Sequence, residues 1–206
     1  MITNLLDIAR NIDFEDYGSS LAVTRVQWAE DNLRLWLHVT DDEGSNVHPY
    51  WQVICSGVRE DFLLMGYCDG LELTDSHVLL WPHKQLRTST SFYGTAENPL
   101  AVVGALYDKH REMIGDWIPF HRFLNPNVSL KALIAGGYGM LAEGPEQLIV
   151  AYEEVMRSYG FSTSHLDPRT PVYWNGTEWI KEESNLHVLL MGQSYVIAEQ
   201  FTAEAL

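Results

Sequence analysis

The hydrophobic pattern of this 206-residue chain changes period twice, from two to 3.6 and back to two, and that succession limits the fold more than any other property. In Leu33-Arg34-Leu35-Trp36-Leu37-His38-Val39 the leucines and the valine share one face and Arg34, Trp36 and His38 the other, as a half-buried strand requires. Around this run the pattern predicts an opening helix at residues 3 to 12, then strands at Leu21 to Trp28, Trp51 to Val58, Phe62 to Cys68, Leu71 to Thr74, His77 to Trp81 and Leu86 to Tyr93. A turn at Glu30-Asp31-Asn32, an acidic loop from Asp41 to Asn46 and short polar or Gly and Pro breaks separate them. Connections that short favour an antiparallel meander.

The period becomes helical at Asn98-Pro99, with Asn98 as N-cap, Pro99 at the first helical position and Gly115 past the end. Leu100, Val103, Leu106, Tyr107, His110, Met113 and Ile114 fall on one broad face. Ser129 then caps a glycine-interrupted segment to Ala142. A second helix runs from Pro145 to Tyr159, with Leu148, Ile149, Tyr152, Val155, Met156 and Tyr159 on one side and Glu146, Glu153 and Arg157 facing away. Strand character returns at Val172 to Trp174, turns at Asn175-Gly176, resumes at Glu178 to Ile180, and recurs at His187 to Met191 and Ser194 to Phe201. The expectation is an α+β fold: a largely antiparallel sheet from the N-terminal half, two main helices (about 99–114 and 145–159) on one face, and C-terminal β-hairpins. These hairpins either join the first sheet or form one of their own. The chain reads as one α+β domain, 1–206, β-rich over 1–95, helical over 96–165 and β-rich over 166–206.

A formal charge of −15 coexists with 46% hydrophobic residues and seven tryptophans, so a packed core must sit under an acidic surface. Thirteen scattered Lys and Arg argue against a nucleic-acid partner. Residues 1–90 hold 14 acids against six bases and residues 91–206 hold 14 against seven, so along the sequence the charge is even. The first ten residues carry no basic region ahead of an apolar run, and no stretch approaches the roughly 18 apolar residues of a membrane span. A soluble, cytoplasmic protein is expected, with Cys55 and Cys68 as buried structural thiols.

Motifs that carry chemistry are sparse. Gly137-Tyr138-Gly139-Met140-Leu141-Ala142 fits a dinucleotide-binding form, but Gly144-Pro145 breaks the chain where a helix should continue. No P-loop, nucleophile elbow, H-E-x-x-H or Cys-x-x-Cys occurs, and no cofactor, metal or catalytic residue is assigned. His110 breaks a local rule, because an imidazole in the middle of an apolar helix face must find a partner or lose its hydration uncompensated. It is either a core histidine satisfied by a backbone carbonyl or an acid, or part of a site. If its helix packs on the sheet, His77, Trp81, His83, His110, Trp117 and His121 converge on one cleft, the candidate ligand-binding set.

Two functions follow as expectations. The first is a non-catalytic interaction or regulatory module, with acidic surroundings and exposed aromatics, Trp36, Trp174 and Trp179 among them, meeting a protein partner that is basic. Antitoxin-like or immunity-type inhibitors use a surface of this character, a likeness of character that no motif carries. The second is a small-molecule-binding protein or enzyme built on the His and Trp cleft.

Overall fold

The computed structural model describes residues 2–12, 19–29, 32–40, 49–183 and 185–206; the acidic loop Asp41 to Asn46 and the Glu30-Asp31 pair lie outside the described residues. Up to Leu80 run α1 (Ile2–Asn11), β1 (Ser20–Ala29), β2 (Asn32–Thr40), β3 (Tyr50–Ser56), β4 (Glu60–Phe62), β5 (Gly66–Cys68) and β6 (Glu72–Thr74). From Trp81 follow α2 (Trp81–Lys84), β7 (Arg87–Tyr93), α3 (Pro99–Ile114), α4 (Leu130–Gly136), β8 (Tyr138–Pro145), α5 (Glu146–Ser158), β9 (Ser162–His165), β10 (Val172–Trp174) and β11 (Trp179–Lys181). The chain ends with β12 (His187–Met191), β13 (Ser194–Ala198) and β14 (Gln200–Ala205). The fold is α+β with antiparallel strand pairing. Its elements group into two compact units: unit 1, Met1–Leu80 with Glu183–Leu206, and unit 2, Trp81–Glu182. The unit boundaries fall at Leu80/Trp81 and Glu182/Glu183, away from the changes of period near 95 and 165.

Unit 1 holds a five-stranded sheet in the order β14-β3-β2-β1-β5 and a four-stranded sheet in the order β4-β13-β12-β6. The alternation in β2 settles as predicted, with Leu33, Leu35, Leu37 and Val39 all buried. They share one apolar cluster with Leu5, Leu6 and Ala9 of α1 and with Leu189 and Val196 of β12 and β13, each fully buried leucine contributing about 1.5–3 kcal/mol. The C-terminal strands divide: β12 and β13 pair with β6 and β4, and β14 joins the first sheet along β3. In unit 2, β10 and β11 form a two-stranded sheet of their own.

Unit 2 is built on the sheet β8-β7-β9, against which α5 packs, with α3 on α5. Asn98 caps α3, its side chain accepting from Leu100 N at 3.2 Å and Ala101 N at 3.3 Å. Asn98→Ala should therefore lower unit 2 stability by about 1 kcal/mol in urea unfolding followed by far-UV circular dichroism, and Asn98→Asp should restore it.

Four local expectations are corrected. His77 to Trp81 is not a strand: a single 3₁₀ turn spans Val78–Leu80 and α2 follows. Leu80 N donates to His77 O and Leu79 N to His77 Nδ1, and Pro82, which fits a first helical turn, suits no strand interior. The segment from Ser129 to Ala142 is half helix and half strand, because Gly137, at φ +79°, ends α4 in the left-handed conformation and β8 pairs with β7. The glycines of the dinucleotide form thus leave a helix for a strand, the reverse of the order that places amides on a phosphate. The buried stripe of α3 is Val102, Leu106, His110 and Ile114, leaving Leu100 and Tyr107 exposed. Glu153 of α5, expected outside, is buried.

Candidate functional site

The six candidate ligand-binding residues divide between the units. His77 belongs to unit 1, half-buried, its imidazole pushed down from the ordinary value by burial against the opposing effect of Glu72. Unit 2 holds the other five: Trp81 and His83 half-buried in α2, His110 buried in α3, Trp117 half-buried in the loop after it, and His121 exposed in a short 3₁₀ turn, Phe120–Arg122. His110 is 1% exposed and wholly engaged: Nε2 lies 2.7 Å from the Ile118 carbonyl and Nδ1 2.7 Å from Tyr152 Oη. A carbonyl only accepts, so Nε2 carries the proton and Nδ1 accepts from the tyrosine. Neither nitrogen is left for a ligand, and burial holds the imidazole below its usual range. His110 is a core histidine satisfied by a backbone carbonyl.

Within unit 2, α2 and the Phe120–Arg122 turn do meet at one cleft of about 110 Å³, but their neighbours line it: Pro82, Gln85, Arg122 and Phe123, facing Arg87 and Glu143. None of the six candidates is among its walls.

The alternation of helix faces gave no warning of Glu153. Its carboxylate, 1% exposed, accepts from Thr90 Oγ1 at 2.7 Å and from Arg157 Nη2 at 2.5 Å, and His165 Nδ1 stands 3.4 Å away. Thr90 and His165 face one another across β7 and β9, so sheet register, which a single strand's pattern does not carry, assembles this network.

Charge is distributed unevenly between the units. Unit 1 carries 17 acids against four bases, and unit 2 carries 11 against nine. The evenness read along the chain arises because unit 1 is discontinuous, taking an acid-only segment from the C-terminus and losing Lys84 and Arg87 to unit 2.

Unit 1 also holds a groove of about 480 Å³, lined among others by Leu64, Tyr67, Asp69, Met191, Gln193 and Ser194. Two elements build it. One is β5, which pairs with the first residues of β1 and forms an edge of its sheet. The other is the tight Gly192-Gln193 turn between β12 and β13. Gly192 has φ +59°, and a Cβ there would run into the Asp69 carboxylate, so turn and loop approach this closely only with glycine. Buried Ser194 accepts from Leu64 N at 2.8 Å and fixes the loop between β4 and β5. That loop brings Phe62, Leu64, Met65 and Tyr67 to the surface within six residues, Tyr67 being 86% exposed.

No known family, curated protein or solved structure matches this chain. What the groove can do follows from its own chemistry. The Cys68 thiol in its wall is held up by burial, and further by Asp69, against a backbone hydrogen bond that lowers it, so it is protonated near neutral pH and a poor nucleophile. Cys55, in the core beneath, is pushed up to about 12 by burial and by Asp61. Asp61 on β4 is raised by burial and, to a lesser extent, by neighbouring Glu60, whose Oε1 accepts from Tyr195 Oη at 2.7 Å. Among the described residues no group of His, Cys, Asp and Glu is placed to hold a metal, and no helix is long and apolar enough to cross a membrane. The groove combines an apolar rim with acidic surroundings.

Of the aromatics expected at the surface, Trp174 and Trp179 are exposed, packed edge to face across β10 and β11 at 5.8 Å. Trp36 is half-buried, with the Arg25 guanidinium 4.5 Å from its ring centre.

Proposed function

We infer that this chain is a non-catalytic interaction module whose acidic unit 1 holds a basic protein segment, with an apolar anchor of that segment seated in the groove beside Leu64, Tyr67 and Met191. The observation that carries this reading is the coincidence of the exposed run Phe62 to Tyr67, the groove it borders and a unit charge of −13. Exposed apolar side chains clustered at a concavity are where binding energy concentrates, and a single-sign field around them speeds encounter with the opposite charge and rejects polyanions.

The test is capture from the native cell with the full chain as bait, followed by measured affinity of the partner recovered. Tyr67→Ala should weaken binding about 30-fold or more, the effect of losing an interface anchor worth about 2 kcal/mol. Trp174→Ala in unit 2 should leave it unchanged, and the association rate should fall as salt is added. A partner that is acidic, or one whose affinity is indifferent to Tyr67→Ala and to salt, would overturn the reading.

A further inference from the structure

We propose that Asn175-Gly176 is a self-modifying site: the backbone nitrogen of Gly176 displaces the side-chain amine of Asn175, assisted by the three donors that the turn sets on Asn175 Oδ1. The product is an aspartyl or isoaspartyl linkage in the β10–β11 hairpin. Of nine asparagines in the chain, Asn175 alone precedes glycine. The other eight precede Leu, Ile, Val or Pro, which crowd the attacking nitrogen or, for proline, leave it without a proton to lose. Glycine does neither. Gly176 stands at φ +102° with nothing within 4 Å of where a Cβ would be, so base and water reach its peptide nitrogen.

The turn holds the carboxamide in place. Asn175 Oδ1 accepts from Thr177 N at 2.9 Å, from Thr177 Oγ1 at 2.9 Å and from Glu178 N at 2.8 Å, which folds the side chain back over the turn. Among the described residues neither Asn175 Nδ2 nor Gly176 N enters a hydrogen bond, and all four turn residues are exposed. The oxygen is held and both nitrogens are free. Base removes the Gly176 N–H proton, the nitrogen bonds to Asn175 Cγ, and the carbonyl electron pair moves onto Oδ1. Hydrogen bonds to an ionised acceptor are roughly twice as strong as those to a neutral one, so the same three contacts favour this tetrahedral state over the amide. The pair then returns, the Cγ–Nδ2 bond breaks, and Nδ2 takes up a proton and leaves as ammonia. Water opens the resulting succinimide: across the Cγ–N bond it gives aspartate, and across the backbone C–N bond isoaspartate, with one more carbon in the main chain. Structurally the change is local. Trp174 and Trp179 stand directly opposite one another, edge to face at 5.8 Å, in a two-stranded sheet of their own. A carbon added between them shifts that register, and a new carboxylate joins Glu178 in the turn, so the ring pair is released.

The reaction needs no partner, so its test is independent of the groove. Incubate the full chain at neutral and at alkaline pH, following released ammonia, the mass of the peptide that holds Asn175, and isoaspartate by methyl transfer from S-adenosylmethionine with an isoaspartyl methyltransferase. Ammonia and isoaspartate should appear together, from that peptide and in proportion to hydroxide, while the tryptophan exciton band in circular dichroism fades. Ammonia separates this site from Asp69-Gly70, which has no amine to expel. Thr177→Val keeps both backbone donors and removes the hydroxyl, and should slow the reaction about threefold or more. The chain unfolded in urea, which lacks the turn, should react more slowly than the folded one, and Asn175→Ser should abolish the signal. An Asn175 peptide that gains no mass, or Asn127-Val128 modified at an equal rate, overturns the site. A rate unchanged or raised in Thr177→Val, or higher in the unfolded chain, overturns the assistance by the turn.

Discussion

Replacing His110 with leucine is expected to destabilise unit 2 by about 2–5 kcal/mol, more than any change to its surface, although leucine fills the same space and is the more hydrophobic residue. The imidazole links the Ile118 carbonyl, in the loop after α3, to the hydroxyl of Tyr152 on α5. Leucine leaves both groups buried without a partner, and each such loss costs about 1–3 kcal/mol. Tyr152→Phe removes only the hydroxyl and leaves Nδ1 as a buried acceptor without its donor, so its cost should lie near half. The double variant His110→Leu with Tyr152→Phe should then be less destabilised than the sum of the two, because the pair is lost once.

Acid should reach the same contact. The folded imidazole is held below the ordinary value of 6.5, so the unfolded chain takes up its proton first as pH falls. His110 thus contributes stability that is present above about pH 6.5 and drains away below it, down to the lower folded value. His77 in unit 1 is depressed in the same direction. Urea midpoints of wild type and His110→Leu measured from pH 8 to pH 5 should converge toward the acid end. Parallel curves would remove the imidazole from the account.

How much of this was readable beforehand depends on which contacts a residue's fate rests on. The alternation of β2 and the cap, proline and glycine of α3 are local, and they settle as the sequence indicates. His110 was identifiable as an anomaly on its helix face; its partners were not, since Tyr152 lies 42 positions away and only tertiary packing brings it close. Glu153 fails for the same reason, with Thr90 63 positions distant. The break of Ser129 to Ala142 at Gly137 was marked by glycine, yet helix and strand compete evenly over so short an apolar run, and pairing with β7 decides. Charge misled in a different way. Counting in halves averages across the unit boundary at Leu80/Trp81 and over a unit whose two segments are separated by 102 residues: residues 1–80 hold 14 acids against four bases, and Glu183–Leu206 adds three acids and no base.

The Glu153 network yields the second large effect, and its sign separates packing from electrostatics. Arg157 is half exposed and Glu153 is not, their side chains being 51% and 2% accessible. Removing the buried member is therefore the milder change: in Glu153→Gln the amide keeps the Thr90 contact and Arg157 turns its charge to water, a loss of about 1 kcal/mol. Arg157→Ala leaves a carboxylate inside the protein with Thr90 and a half-exposed histidine for company, and breaking a buried pair from that side costs about 3 kcal/mol or more. Adding Glu153→Gln to Arg157→Ala should rescue most of the loss, which no account based on the packing of the arginine stem allows. Urea unfolding of the four proteins measures all of it; an Arg157→Ala variant no less stable than Glu153→Gln, with no rescue in the double, would show that the buried charge is not held by this arginine.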